Sequence, residues 1–286
     1  MQIVRYRSAD QRIRIGVLFE RNILAPLDVE LHELLRLPLS ALRTRLEAAQ
    51  RSAVHTQSYD LLAPIDGTTE VWAAGVTYKR SVDARVEESQ TPDLYTRVYL
   101  AQRPELFFKA TPHRVAGPME PIGIRSDSTW DVPEPELALV LNVHGEIVGY
   151  TIANDVSSRS IEGENALYLP QAKVYARSCA LGPGWTPAWE VADPYKLSIR
   201  MSIERARGVY WTGQTSTSEL KRSLDELVDY LFREDDFPDG AILCTGTALV
   251  PAPPFTLEPD VLVGIQIDEL GALRNPVVRG KNSTIV

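Results

Sequence analysis

Residues 132–155 read VPEPELALVLNVHGEIVGYTIAND, two β-strand patterns joined by a tight turn. The apolar run Leu137–Val143 forms the first arm and Ile147–Asn154 the second, with His144-Gly145 as the hairpin turn between them. Glu134 and Glu136 stand two residues apart at the mouth of the first arm, so both side chains leave the same face. Carboxylates this close repel one another unless a cation or a proton lies between them. On spacing alone, a solvated strand edge competes with an ion site. The returning arm changes the balance, because it ends in Asp155, and a hairpin centred near Gly145 sets residues 134–136 opposite 154–156. Three oxygen ligands therefore converge. An all-carboxylate set suits Mg²⁺, with Mn²⁺ or Ca²⁺ as alternatives, rather than zinc. The four histidines, His32, His55, His113 and His144, read as surface or packing residues.

Outward from the hairpin, the N-terminal segment alternates at Gln2–Arg7 and Arg12–Phe19 as a first β-hairpin, then turns helical in Glu30–Leu37 and Leu39–Gln50. The reading is a small N-terminal α+β subdomain over residues 1–60 and a larger catalytic domain over 61–286, with a linker near residues 55–68. Beyond the apolar run Val71–Val76, strand patterns dominate the larger part, at Leu106–Ala110, Leu197–Ile203, Val209–Thr215, Ala241–Leu243 and Val261–Ile267. One helix interrupts them, with Leu220, Leu224, Leu227, Val228 and Leu231 on one face and the Ser/Thr residues 215–218 available to cap it. The fold class is mostly β, within α+β.

The chain has 286 residues, 44% of them apolar and 24% charged, and no segment approaches the roughly 20 apolar residues of a membrane span. Its first residues carry Arg5, Arg7, Asp10 and Arg12 and lack the apolar run of a secretory signal. Cys179 and Cys244 lie far apart in apolar surroundings, as in a reducing compartment, and the expected location is the cytoplasm. A net charge of -8 with scattered Lys and Arg argues against a nucleic-acid partner. An anionic substrate then needs a local cation.

In PEPELALV (133–140), GYTIANDVSSR (149–159) and LEPDVLVGIQIDELGALRNPV (257–277), the sequence resembles the fumarylacetoacetate hydrolase superfamily over about residues 61–277. That resemblance implies a mixed β-roll catalytic domain, a divalent ion on Glu134, Glu136 and Asp155, and a homo-oligomer, dimer or tetramer. RPELFFKA (103–110), the Ile161–Lys173 stretch and SCALGP (178–183) are similar to the branch that dehydrates 2-keto-3-deoxy-pentonates. Hydrolases of the superfamily carry a histidine where this chain has Ser81, which counts against C–C bond hydrolysis. Ser160 and Glu258-Pro259-Asp260 also depart from the family pattern, in loops rather than at proposed ligands.

The resemblance implies a small 2-oxo sugar acid as substrate, with 2,5-dioxopentanoate and water as products by way of a metal-stabilised enolate. Its carboxylate and C2 carbonyl would complete the ion's shell. Lys173 is the candidate for stabilising the enolate oxygen. Glu105, beside Leu106-Phe107-Phe108, falls where relatives keep an acid/base carboxylate, and Glu164, or Glu162 two residues before it, could relay protons. Arg80, Ser81, Arg85, Gln171 and Thr247 are candidates for meeting the substrate. The alternative activity is an acylpyruvate hydrolase or an oxaloacetate decarboxylase of the same superfamily.

Overall fold

A computed structural model describes residues 1–20, 22–55, 58–81, 92–206 and 208–281 of the chain. The first hairpin, β1 (Gln2–Ser8) and β2 (Ile13–Glu20), pairs antiparallel from Gln2–Leu18 to Arg7–Ile13. It continues into β3 (Ile23–Leu27) and β4 (Val54–His55). The helix expected over 30–37 shortens to Leu31–Leu34, and the Leu35, Arg36 and Leu37 amides that follow donate to carbonyls three residues back, a tighter turn than the α-helix. Leu39–Ala49 follows as the second helix. The expected linker is corrected by β5 (Tyr59–Leu62), which pairs antiparallel with β1 through Arg5–Leu62 and Ser8–Tyr59.

The other strands are β6 (Glu70–Gly75), β7 (Glu105–Ala110), β8 (Val115–Ala116), β9 (Ile122–Ile124), β10 (Asp131–Val132), β11 (Pro135–Leu141), β12 (Ile147–Asp155) and β13 (Ser157–Ser158). After them come β14 (Cys179–Pro187), β15 (Ser198–Arg205), β16 (Gly208–Ser216), β17 (Ala241–Cys244), β18 (Leu262–Ile267) and β19 (Gly271–Arg279). The large sheet runs β4-β3-β2-β1-β14-β12-β11-β17-β6-β7. It passes from the N-terminal strands into the rest through Ile3 of β1 opposite Trp185 of β14. A five-stranded sheet, β16-β15-β18-β19-β9, packs beside it.

Strand β11 lies between β12 and β17 and is buried along its whole length, which explains its continuous apolar run. Leu137, Leu139 and Leu141 join the core shared with the five-stranded sheet, including Ile199, Met201 and Ile265. Ala138 and Val140 point the other way, into the core that holds Ile3, Leu31 and Leu42. The two faces are thus covered by different layers.

The helix expected from Leu220 begins at Leu224 and ends at Leu231. Ser223 caps it, accepting a hydrogen bond from the Glu226 amide at 3.1 Å, whereas Ser216 caps only the short turn Thr217–Glu219. No helix among the described residues is long and apolar enough to cross a membrane.

Candidate active site

The hairpin around His144-Gly145 closes as its spacing requires. Gly145 takes φ +72 and donates to the Asn142 carbonyl, while the Asn142 side chain accepts from the His144 and Glu146 amides. Strands β11 and β12 then pair Pro135 with Asn154 and Glu136 with Ala153, and the Asp155 amide donates to the Glu134 carbonyl at 2.9 Å. Pro135 is tolerated because it is the first residue of its strand. In this register Glu134, Glu136 and Asp155 each offer a carboxylate oxygen within 4.8 Å of the others, and all three are buried.

Three cations surround them. The Lys173 ammonium, at the end of the short helix Leu169–Lys173, donates to Glu134 Oε2 at 2.8 Å, Asp155 Oδ2 at 3.0 Å and the Ser157 hydroxyl at 2.6 Å. Arg159 binds Glu134 Oε1 through Nε at 3.1 Å and Nη2 at 2.9 Å. Lys109, fully buried, stands 2.5 Å from Asp155 Oδ1. Glu136 forms no ion pair among the described residues and accepts from the Gly246 amide at 2.7 Å. Burial, with Asp155 and Glu134 beside it, pushes the Glu136 carboxyl well above the usual range, against the pull of Lys173 and the Gly246 amide.

The pocket over the cluster is lined by five carboxylates (Glu105, Glu134, Glu136, Asp155 and Glu162) and by Lys173 and Arg159. Lys109 stands behind Asp155. An all-oxygen, buried donor set of three clustered carboxylates fits a hard divalent cation. Among the described residues, roomier concavities, about 460 Å³ on the outer face of the five-stranded sheet and about 680 Å³ beside Tyr59–Leu62, hold no carboxylate set that could share an ion.

The structure gathers most of the residues expected from sequence. Glu105, Ser81 and Thr247 line the same pocket as the three carboxylates and Lys173. The Ser81 hydroxyl donates to the Tyr78 carbonyl at 2.6 Å, and Thr247 donates to the Pro135 carbonyl at 2.9 Å. Three other candidates lie outside this lining. Glu164 is exposed and outside the pocket, because on the helix Arg159–Glu164 residues two apart do not share a face, and Glu162 is the one turned inward. Gln171 is exposed, with its carbonyl accepting from Arg125 at 3.2 Å, and Arg80 is exposed outside the lining. Arg85 lies outside the described residues. Sequence reasoning did not assign Arg159, Ser157, Tyr95 or Lys109, although Arg159 and Lys109 lie inside motifs it quoted.

A family model described as fumarylacetoacetate (FAA) hydrolase C-terminal matches residues 70–278. The chain belongs to the fumarylacetoacetate hydrolase family. Within that family it is 56% identical over 214 residues, 75% of this chain and 73% of the relative, to a "probable 2-keto-3-deoxyxylonate dehydratase" of Haloferax volcanii. A 2-dehydro-3-deoxy-D-arabinonate dehydratase of Saccharolobus solfataricus is 45% identical over 225 residues, 77% of this chain and 75% of that one. A solved structure of 2-keto-3-deoxy-D-arabinonate dehydratase complexed with magnesium and 2,5-dioxopentanoate superposes with a TM-score of 0.85 at 34% identity, over 99% of this chain and 100% of that one. The mixed, strand-rich architecture is the family's fold.

Proposed function

We propose that this chain is a Mg²⁺-dependent hydro-lyase that converts a 2-keto-3-deoxy-pentonate, of the arabinonate or xylonate type, into 2,5-dioxopentanoate and water. The observation that carries the reading is the convergence of Glu105, Glu162 and Lys173 on the carboxylate cluster, with Ser81 at the pocket position where a hydrolase of the family needs its histidine. The relatives named as dehydratases support it. Both cysteines are buried and free, in keeping with a cytoplasmic enzyme.

Glu134, Glu136 and Asp155 would hold the ion, which when bound supplies Lewis acidity toward the substrate's carboxylate and C2 carbonyl oxygens. The enclosed space beside them is about 30 Å³, on the order of one water's share of the liquid, so the sugar acid is met by the half-buried lining of Ser81, Glu105, Phe107 and Leu169. Lys173 places a positive charge in a water-poor site where negative charge develops on the C2 oxygen as the C3 proton leaves. Its three hydrogen bonds hold that ammonium in place.

Glu105 is the base we assign to the C3 proton, and Glu162 the acid that protonates the departing C4 hydroxyl. Loss of that hydroxyl as water leaves a 5-hydroxy-2-oxo-3-enoate. Moving a proton from C5 to C3 then gives the C4–C5 enol, and transfer of the enol hydroxyl proton to C4 gives the aldehyde of 2,5-dioxopentanoate, so one water is released and no oxidant is consumed. Arg159 neutralises Glu134 and faces Glu162 at 3.9 Å, which keeps both carboxylates in position.

The test is to incubate the protein and Mg²⁺ with 2-keto-3-deoxy-pentonates, an acylpyruvate and oxaloacetate in parallel, following aldehyde formation from the first and pyruvate formation from the other two. Dioxopentanoate formation with little turnover of the other two is the expected result. Rapid cleavage of the acylpyruvate with none of a pentonate would sink the proposal.

A further inference from the structure

We infer that Lys109 is a positioning residue that locks the ligand carboxylate of Asp155 and the main chain of Lys173 into one rigid unit. The inference rests on the reading that Glu134, Glu136 and Asp155 hold a divalent ion. The register of β6 and β7 shows how the side chain gets there. Trp72 pairs with Phe108 and Val71 with Ala110, so the pairing skips Lys109. Lys109 follows Phe107 by two residues and so takes the same face of β7, with the irregularity falling beyond it. Its ammonium is fully buried there, a position that lysine does not occupy without partners.

The ammonium's partners come from two segments. Its nitrogen lies 2.5 Å from Asp155 Oδ1 and donates to the Val156 carbonyl at 3.1 Å, at the end of β12, and to the Lys173 carbonyl at 2.6 Å. The Lys173 carbonyl closes a helix only five residues long, and carbonyls at a helix end have no partner within the helix. The Ser178 hydroxyl donates to the same oxygen at 2.8 Å. One ammonium thus ties a metal ligand to the residue whose side chain must face the substrate, without lining the pocket itself. The Tyr175 ring, 6.0 Å from the Lys109 nitrogen, covers it.

The sign of the metal-binding change separates positioning from bare charge. A positive charge this near an ion site repels the ion, so if Lys109 contributed only its charge, Lys109→Met would tighten divalent binding. If Lys109 orients Asp155, the same substitution weakens it, since removing the partner that orients a ligand costs about ten- to a hundredfold in metal affinity.

The experiment titrates Mn²⁺ alone into the full-length parent and Lys109→Met, reading free Mn²⁺ by electron paramagnetic resonance, with far-UV circular dichroism to confirm folding. Expected is a Kd raised about tenfold or more, together with a kcat that stays depressed at saturating metal while KM for the substrate changes less. An unchanged or lowered Kd overturns the inference. If Lys109→Met does not fold, Lys109→Arg decides: it keeps the charge but presents a planar fork to acceptors placed for an ammonium, and a Kd equal to the parent's overturns the inference. The Mn²⁺ readout needs no substrate. A parent that binds Mn²⁺ but dehydrates no pentonate refutes the proposed function alone, while unchanged Mn²⁺ binding in an active parent's variant refutes only the role of Lys109.

Discussion

A methyl group on Gly75 gives the sharpest test of Glu105. Gly75 of β6 pairs with Glu105 of β7, and a Cβ built on Gly75 would stand 2.1 Å from Glu105 Oε2 and 2.7 Å from its carboxyl carbon. No backbone atom is in the way at that distance, so Gly75→Ala is accommodated by displacement of the carboxylate alone. To reach an ordinary contact of about 3.4 Å, the oxygen has to retreat by more than 1 Å. A displacement of about 1 Å in a reacting group costs about a hundredfold in rate, or about 2.7 kcal/mol of barrier. Stability should barely fall, because replacing glycine where the backbone is compatible restricts the unfolded chain and returns about 0.4–1 kcal/mol. The assay compares kcat and KM for a 2-keto-3-deoxy-pentonate at saturating Mg²⁺, with thermal melting and Mn²⁺ affinity as controls. The expected pattern is a kcat lowered about a hundredfold, with melting and metal binding close to the parent. A kcat within twofold of the parent, in protein that melts normally, would refute the assignment of proton transfer to Glu105.

Further outcomes follow from the same geometry. Glu162→Gln should lower kcat by about a hundredfold, the lower end of the range for loss of a positioned acid or base, while Glu164→Gln stays within twofold; equal effects in steady-state assays would contradict the inward placement of Glu162. Because the Glu136 carboxyl titrates well above its usual range, a cation must displace a proton there, so affinity for Mg²⁺ should rise with pH. Calorimetric titrations in two buffers of different ionisation enthalpy should register proton release, and its absence would count against the raised Glu136. Burial raises Asp131 to about 6 despite the Ser128 hydroxyl and the Arg279 and Arg125 guanidiniums. The folded chain therefore binds more protons than the unfolded one between about pH 4 and 6, and this residue's contribution to stability falls as pH rises, by up to about 3 kcal/mol. Asp131→Asn should accordingly stabilise the protein at pH 7.5 and leave it unchanged at pH 4. Urea unfolding at both pH values checks this, and equal shifts at the two would exclude it.

The parts of the site legible in the sequence are those fixed by local geometry. Strand alternation and the His144-Gly145 turn are both short-range, and together they set the register that joins Glu134 and Glu136 to Asp155. Strand β14 was not legible, since Gly182-Pro183-Gly184 has the composition of a turn. It is a strand because β1 passes so close that a Cβ on Gly184 would meet the Ile3 carbonyl at 2.5 Å, a contact between residues far apart in the chain. The segment around Tyr59–Leu62 was misread for a similar reason, as its strand partner is β1, distant in the sequence. Choosing between Glu162 and Glu164 required knowing that Arg159–Glu164 is a helix and which side of it faces in. Alternation along β7 puts Glu105, Phe107 and Lys109 on one face, but it does not announce that Lys109 reaches Asp155 and the Lys173 carbonyl.

Strand β7 carries three residues that bear on Lys173 and its pocket. Phe107 lies 5.6 Å beneath the Lys173 ammonium, Lys109 holds the Lys173 carbonyl from behind, and Glu105 lines the pocket above them. Lys173 is thus held by ring, main chain and the Glu134 and Asp155 carboxylates at once. With Lys109 and Lys173 committed to Asp155, and Arg159 and Lys173 to Glu134, Glu136 is left with one backbone amide as its donor. Burial, then the Asp155 and Glu134 carboxylates beside it, disfavour a charge on Glu136, and a divalent ion held there would offset both. It follows that Glu136→Gln, which removes a buried ionisable group while leaving those ion pairs in place, should weaken Mg²⁺ binding while stabilising the metal-free fold. Opposite shifts in metal affinity and in the melting temperature without metal are the signature to look for, and a variant that loses both would mean that Glu136 is held by contacts other than these.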